Sequence, residues 1–224
     1  HAARFAKKAI DMADLEESAT RVKLGPEKKR LQTDLDRRMT AYHEAGHALV
    51  AWEMPHVEPI HRISIVSRGM SLGHTMTEQI ERVHETKAHL EEQIAVMMGG
   101  RAAESLIFDD ITTGASDDIE KATRVARAMV TKFGMSPLGP MNLDGERNFY
   151  EQSDISPEMA AKIDTQVEKI ATKAYKDAIV ILTKLREKLD VLAEELLKKE
   201  TIDSEDFVKL IGPKKELAKA TVKA

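Results

Sequence analysis

Residues 43–47 read HEAGH, which sets two histidines four apart with a glutamate directly after the first. On an α-helix, positions i and i+4 share one face a turn apart, so two imidazoles aim at a common point. A point about 2 Å from each nitrogen suits a zinc ion. Glu44 is rotated about 100° from His43. A carboxylate there lies beside the ion rather than on it, placed to take a proton from water whose pKa the metal has lowered. The chemistry such a set would do is metal-assisted hydrolysis, with His43 and His47 as candidate ligands and Glu44 as candidate general base; the alternative is an ordinary amphipathic helix that carries two histidines.

A pattern fixed at three positions arises by chance in on the order of one chain per hundred of this size. Gly46 adds to it, because glycine inside a helix costs about 1 kcal/mol relative to alanine. Either something approaches closely at that position or a neighbouring helix packs there. A catalytic zinc also needs a third protein ligand and an open fourth position. The chain has no cysteine, so any further ligand is His, Asp or Glu. The candidates are Glu104, Asp109, Asp110, Asp117, Asp118, His56, His61, His74, His84 and His89. Helical phase separates two of them. Asp118 lines up with Ala122, Val125 and Met129 at the edge of an apolar face, and Asp117 with Lys121, Arg124 and Ala128 on the polar side. Asp118 is the better ligand and Asp117 the better partner for the helix dipole.

These residues need elements to carry them. TAYHEAGHALVAWEM reads as a core helix capped by Thr40 and ended before Pro55. HRISIVSR, residues 61–68, alternates like a strand, and a turn at Gly69 leads to a second extended piece, SLGHTMT. ETKAHLEEQIAVMM is helical; Gly99-Gly100 is expected to interrupt it before RAAESLIF. The loop DDITTGAS then leads into the helix DDIEKATRVARAMVTKF, ended by Gly134, and residues 137–154 form an irregular connection. From Ser156, apolar residues recur at 4-4-3 spacing from Met159 to Leu196, which predicts a nearly straight helix or a helical hairpin. Asp203 caps a short last helix, EDFVKLI. Residues 1–24 read as the end of a helical unit with Ala3, Phe5, Ala6, Ile10, Leu15, Ala19 and Val22 as its apolar members, followed by a charged connector; the tail from residue 213 is too polar to pack firmly.

Composition agrees with a mainly α fold carrying a small β element. Of 224 residues, 42% are hydrophobic, 32% charged and only 4% aromatic, with Ala, Lys, Glu, Leu and Met prominent. Lys and Arg total 34 against 38 Asp and Glu, a net charge of −4, so no global basic field favours nucleic acid. No apolar run approaches the roughly 18 residues of a membrane span, and the chain is expected to be soluble.

AYHEAGHALVAW, ISIVSRGMSLGHTM, GGRAAESLIF, ITTGASDDIEKATRVARAMVTKFGMS and KKETIDSEDF together resemble the peptidase domain of the FtsH family, the membrane-anchored AAA+ zinc proteases. The resemblance covers about residues 15–211. It implies a helical Asp-zincin with His43, His47 and Asp118 as zinc ligands and Glu44 as catalytic base. It gives Glu104 a supporting role behind a ligand, and makes SLGHTMT an edge strand that pairs with substrate, on which His74 is a candidate contact. It also implies residues 1–24 as the end of an AAA+ lid and its exit helix, 25–38 as connector, 39–212 as the zinc metallopeptidase domain and 213–224 as a flexible tail. One Zn2+ per chain is expected, and ATP with Mg2+ only in an AAA+ module that this stretch lacks, since it has no GxxxxGKT loop. The expected partners are polypeptide substrates and five further copies in a homo-hexamer. The intact protein is placed in an inner membrane, reached only through segments not in this stretch, with the peptidase domain on the cytoplasmic or matrix-like side.

Ser105 stands where many family members carry a second glutamate, FGMSPLGP is slightly short, and DD precedes ITTGAS where glycine is common. Two other readings stand beside the enzyme. One is a helical oligomerisation domain with a structural or vestigial zinc site, which would usually show four protein ligands. The other is a chance HEAGH in a helical adaptor.

Overall fold

The computed structural model describes residues 2, 6–27, 33–69, 71–143 and 155–214. Ala3, Phe5, the middle of the connector, the second half of the 137–154 connection and the tail beyond Lys214 lie outside the described residues.

Helix α1 (Met12–Leu24) starts at a reciprocal capping box between Asp11 and Asp14. Helix α2 (Asp34–Glu53) carries HEAGH and begins earlier than expected. Its cap is Thr33, whose hydroxyl accepts from the Asp36 N–H while the Asp36 carboxylate takes the Thr33 N–H. Thr40 lies inside the helix and donates to the Asp36 carbonyl. The Thr33-x-x-Asp36 box outcompetes Thr40 because it satisfies two otherwise unpaired N–H groups at once. Pro55 follows the end of α2, as the sequence predicts.

Strands β1 (Ile60–Ser64), β2 (His74–Thr77) and β3 (Thr201–Asp203) form an antiparallel sheet in the order β2-β1-β3. The first strand stops at Ser64, short of the expected 61–68, because the chain leaves the ladder there. The Ile65 N–H donates to the Glu200 carbonyl, and Arg68 bonds back to Ser71 across a tight turn. β3 was not foreseen; three residues between two helices give no alternation to read.

Helix α3 (Lys87–Phe108) runs unbroken through Gly99-Gly100, against the expected interruption. The reason is packing. A Cβ on Gly46 would fall 2.5 Å from the Gly99 carbonyl oxygen, and one on Gly99 2.8 Å from the Gly46 oxygen, so α2 and α3 cross backbone against backbone. That contact offsets the poor helix propensity of both glycines.

A 3-10 turn, Thr113–Ala115, leads into α4 (Ser116–Thr131), whose Ala122, Ala126, Met129 and Val130 are buried. The long 4-4-3 pattern resolves into α5 (Pro157–Lys184) and α6 (Arg186–Lys199), which part at Leu185 and scarcely touch, so they form no hairpin. Helix α5 packs on α3 and α4, and α6 on α2. Helix α7 (Ser204–Ile211) is capped by Asp203. Helix α2 is the centre of the fold: Ala41, Ala45, Ala48, Leu49 and Val50 are fully buried between α3, α6 and the sheet. Among the described residues no helix is long and apolar enough to cross a membrane.

Candidate metal centre

His43 and His47 project from α2 toward the first turn of α4. Their Nε2 atoms are 3.0 Å apart, and Asp118 Oδ2 is 3.3 Å from the first and 3.4 Å from the second. A tetrahedral zinc with bonds near 2.0–2.1 Å sets its ligand atoms about 3.3 Å from one another, so the triangle fits the ion and leaves one position open. No other group of three His, Asp or Glu side chains converges this way among the described residues.

The donor set itself calls for a cation. His43 Nδ1 is 2.7 Å from Glu104 Oε1, and His47 Nδ1 is 2.7 Å from the Val96 carbonyl oxygen. Both partners accept, so each neutral ring carries its hydrogen on Nδ1 and presents a bare lone pair at Nε2. Two nitrogen lone pairs and a carboxylate oxygen then face one another with no donor between them. Without a metal the field finds a proton instead. Burial lowers the His43 imidazole, but Asp118, Glu104 and Glu44 outweigh it and raise it to about 10. Burial raises the Asp118 carboxyl, yet His43 and His47 hold it well below the usual carboxylate range.

Several elements make the triangle possible. Gly100 on α3 faces the His43 ring, where a Cβ would come 2.4 Å from Cε1 and Nε2. Glu104, one turn further along and 2% exposed, does two jobs. It accepts from His43, and its Oε2 and Oε1 take the Thr112 N–H at 2.8 Å and the Thr112 hydroxyl at 3.2 Å. The Thr112 hydroxyl in turn caps the 3-10 turn by accepting from the Gly114 N–H. One carboxylate therefore ties the first histidine to the turn that aims Asp118.

Glu44 is 6% exposed, and its Oε2 accepts from the Thr75 hydroxyl at 2.8 Å. Burial raises its carboxyl, with His47, His43 and Thr75 pulling it back. The remaining candidates lie elsewhere. Asp117 is exposed and pairs with Lys121 at 2.6 Å. Asp109 is the left-handed C-cap of α3, and Asp110 is exposed beside it. His56 pairs with Glu92 and buried His89 with Glu85. His61 and His84 are exposed. His74 lines a polar cavity of about 370 Å³ with Arg62, Arg68, Glu16 and Glu17, on the opposite side of β2 from Thr75. Thr75, Thr112, the Val96 carbonyl and Gly100 were missed from sequence. The only available signals were the alternation of β2, which separates residue 75 from 74, and the paired glycines on α3.

The chain matches the model of Peptidase family M41 over residues 30–210. It belongs to that family. Membership of a peptidase family over most of the chain favours the enzyme reading over the oligomerisation and adaptor readings. Its relatives include a protein of Rubrobacter xylanophilus, 44% identical over 94% of this chain and 34% of its own length, and one of Conexibacter woesei, 44% identical over 96% and 34%. A third, from Thermus thermophilus, is 42% identical over 94% of this chain and 35% of its own length. The first and third are named ATP-dependent zinc metalloprotease FtsH, and the second ATP-dependent zinc metalloprotease FtsH 1. This chain spans about a third of the length of these curated relatives.

Proposed function

We propose that this M41 domain hydrolyses peptide bonds of unfolded polypeptides, with His43 Nε2, His47 Nε2 and Asp118 Oδ2 holding one zinc ion. Bound there, the metal supplies Lewis-acid polarisation of the scissile carbonyl and a water acidic enough to attack at neutral pH. Glu44 takes the proton of that water and delivers it to the leaving amine. Its Oε2 accepts from the Thr75 hydroxyl, which holds the carboxylate in one orientation. Glu104 and the Val96 carbonyl keep both Nδ1 atoms occupied, so the rings hold the tautomer that leaves Nε2 free.

The observation that carries this reading is the three-atom triangle with both Nδ1 atoms already committed to acceptors. In the longer protein, we infer that residues 1–24 continue from an AAA+ lid and 25–38 connect it to the peptidase at 39–212. ATP with Mg2+, bound in an AAA+ module that this stretch lacks, would drive substrate into a homo-hexameric chamber anchored in a membrane, with the peptidase on its cytoplasmic or matrix-like side. The relatives' names join ATP dependence to zinc proteolysis, which supports the ATP-driven part of this reading.

The test is zinc per chain together with cleavage of an unfolded protein. Glu44→Gln is expected to keep its zinc and lose about 10²–10⁴-fold in rate. Asp118→Asn is expected to lose both. If Asp118→Asn kept zinc and rate while Asp117→Asn lost them, the third ligand assigned here would be wrong.

A further inference from the structure

The side chain of Glu44 is held by β2, outside both helices that supply the ligands. Thr75 stands opposite Ile63 in the β1–β2 register, and its hydroxyl lies 2.8 Å from Glu44 Oε2 and 3.0 Å from the Glu44 carbonyl oxygen. A hydroxyl hydrogen shared between these two acceptors pins both ends of the Glu44 residue to one strand atom. Two residues earlier, Gly73 faces the other carboxylate oxygen. A Cβ there would fall 2.7 Å from Glu44 Oε1 and 2.8 Å from its Cγ. The Glu44 side chain packs this closely on β2 only because residue 73 has no side chain.

We propose that Thr75 is a positioning residue for hydrolysis: its hydroxyl fixes Oε2 of Glu44 and, with the close packing of the side chain on Gly73, holds the carboxylate in one rotamer beside the His43–His47–Asp118 triangle. This rests on Glu44 being the base. A carboxylate with one oxygen pinned has a single rotamer in which to receive the proton. An unpinned one spreads over several, and fewer encounters are productive. The contact is internal to the chain, joining β2 to the base on α2, so its loss is expected in kcat rather than KM.

The experiment uses the zinc-loaded full-length protein and an internally quenched unfolded peptide. Thr75→Val keeps the branched shape that suits a strand and removes only the hydroxyl. It is expected to lower kcat about 10- to 100-fold, as for a lost hydrogen bond to a charged group, with KM within about twofold. Zinc stoichiometry and melting temperature should match the parent. Thr75→Ser, which restores the hydroxyl, is expected to recover kcat to within about threefold. In a Glu44→Gln background, adding Thr75→Val should cost nothing further, because the residue it positions has gone. A Thr75→Val rate within twofold of the parent, a Thr75→Ser variant as slow as Thr75→Val, or an additive double variant each overturns the proposal. Zinc loss in Thr75→Val overturns it as well. A fully active Glu44→Gln that retains zinc instead sinks the assignment of the base itself, so the two failures are told apart.

Discussion

Glu104→Gln is the sharpest probe of how the site is held. The Glu104 carboxylate accepts three hydrogen bonds: from His43 Nδ1 at 2.7 Å, from the Thr112 N–H at 2.8 Å and from the Thr112 hydroxyl at 3.2 Å. Glutamine has the same shape but only one accepting atom. If its oxygen stays on His43, its NH₂ confronts the Thr112 N–H; if the amide turns over, the NH₂ confronts the His43 N–H. Either way a buried donor loses its acceptor, at about 1–3 kcal/mol. Loss of such a partner behind a metal-binding histidine weakens metal affinity about 10- to 100-fold. The expected outcome is a zinc dissociation constant raised by that factor in a chelator competition, with a lowered melting temperature for the metal-free chain. A Glu104→Gln protein that binds zinc within twofold of the parent and melts at the same temperature would refute the reasoning. Thr112→Val removes the longest of the three bonds together with the cap on the Gly114 N–H, but leaves the bond to His43, and should lose less zinc affinity.

Gly100→Ala places a methyl 2.4 Å from the His43 ring, which Glu104 holds on its other side, so zinc content after dialysis should fall while helicity by circular dichroism persists. Gly46→Ala drives a methyl to 2.5 Å from the Gly99 carbonyl oxygen, and chemical denaturation should show about 1–3 kcal/mol of lost stability or more. His74 is held down to about 4, first by burial and then by Arg68 and Arg62, with Glu17 opposing. Between 6.5 and about 4 the unfolded chain therefore binds a proton that the folded chain refuses. Stability is complete above pH about 6.5 and falls as the pH drops through that window, by up to roughly 3 kcal/mol. Denaturation midpoints of the metal-free protein should show this fall, and His74→Gln should flatten it.

What the sequence made legible follows from periodicity. His43, His47 and Glu44 are set by the 3.6-residue repeat of a single helix, and Asp118 could be chosen over Asp117 because α4 has one clear apolar face. The resemblance supplied the supporting role of Glu104, but its two partners come from α2 and from the turn at Thr112, and no spacing within α3 encodes that. Gly99-Gly100 misled for the same reason: low local propensity was visible, whereas the crossing helix that offsets it was not. Thr40 was a plausible cap until weighed against Thr33 with Asp36, a pair that satisfies more of the backbone. β3 and Thr75 depend wholly on which strands meet, a tertiary fact that short strands do not announce.

The division of the proposed metal ligands between α2 and α4 has a consequence for a chain still being made. His43 and His47 leave the ribosome 75 and 71 residues before Asp118, and Glu104 and Thr112 also precede it. Until α3 has docked across α2 and the turn before α4 has closed, a nascent chain offers only half a coordination shell, with Glu44 beside it and no metal held against it. The three proposed ligand atoms thus meet only once tertiary folding is largely complete.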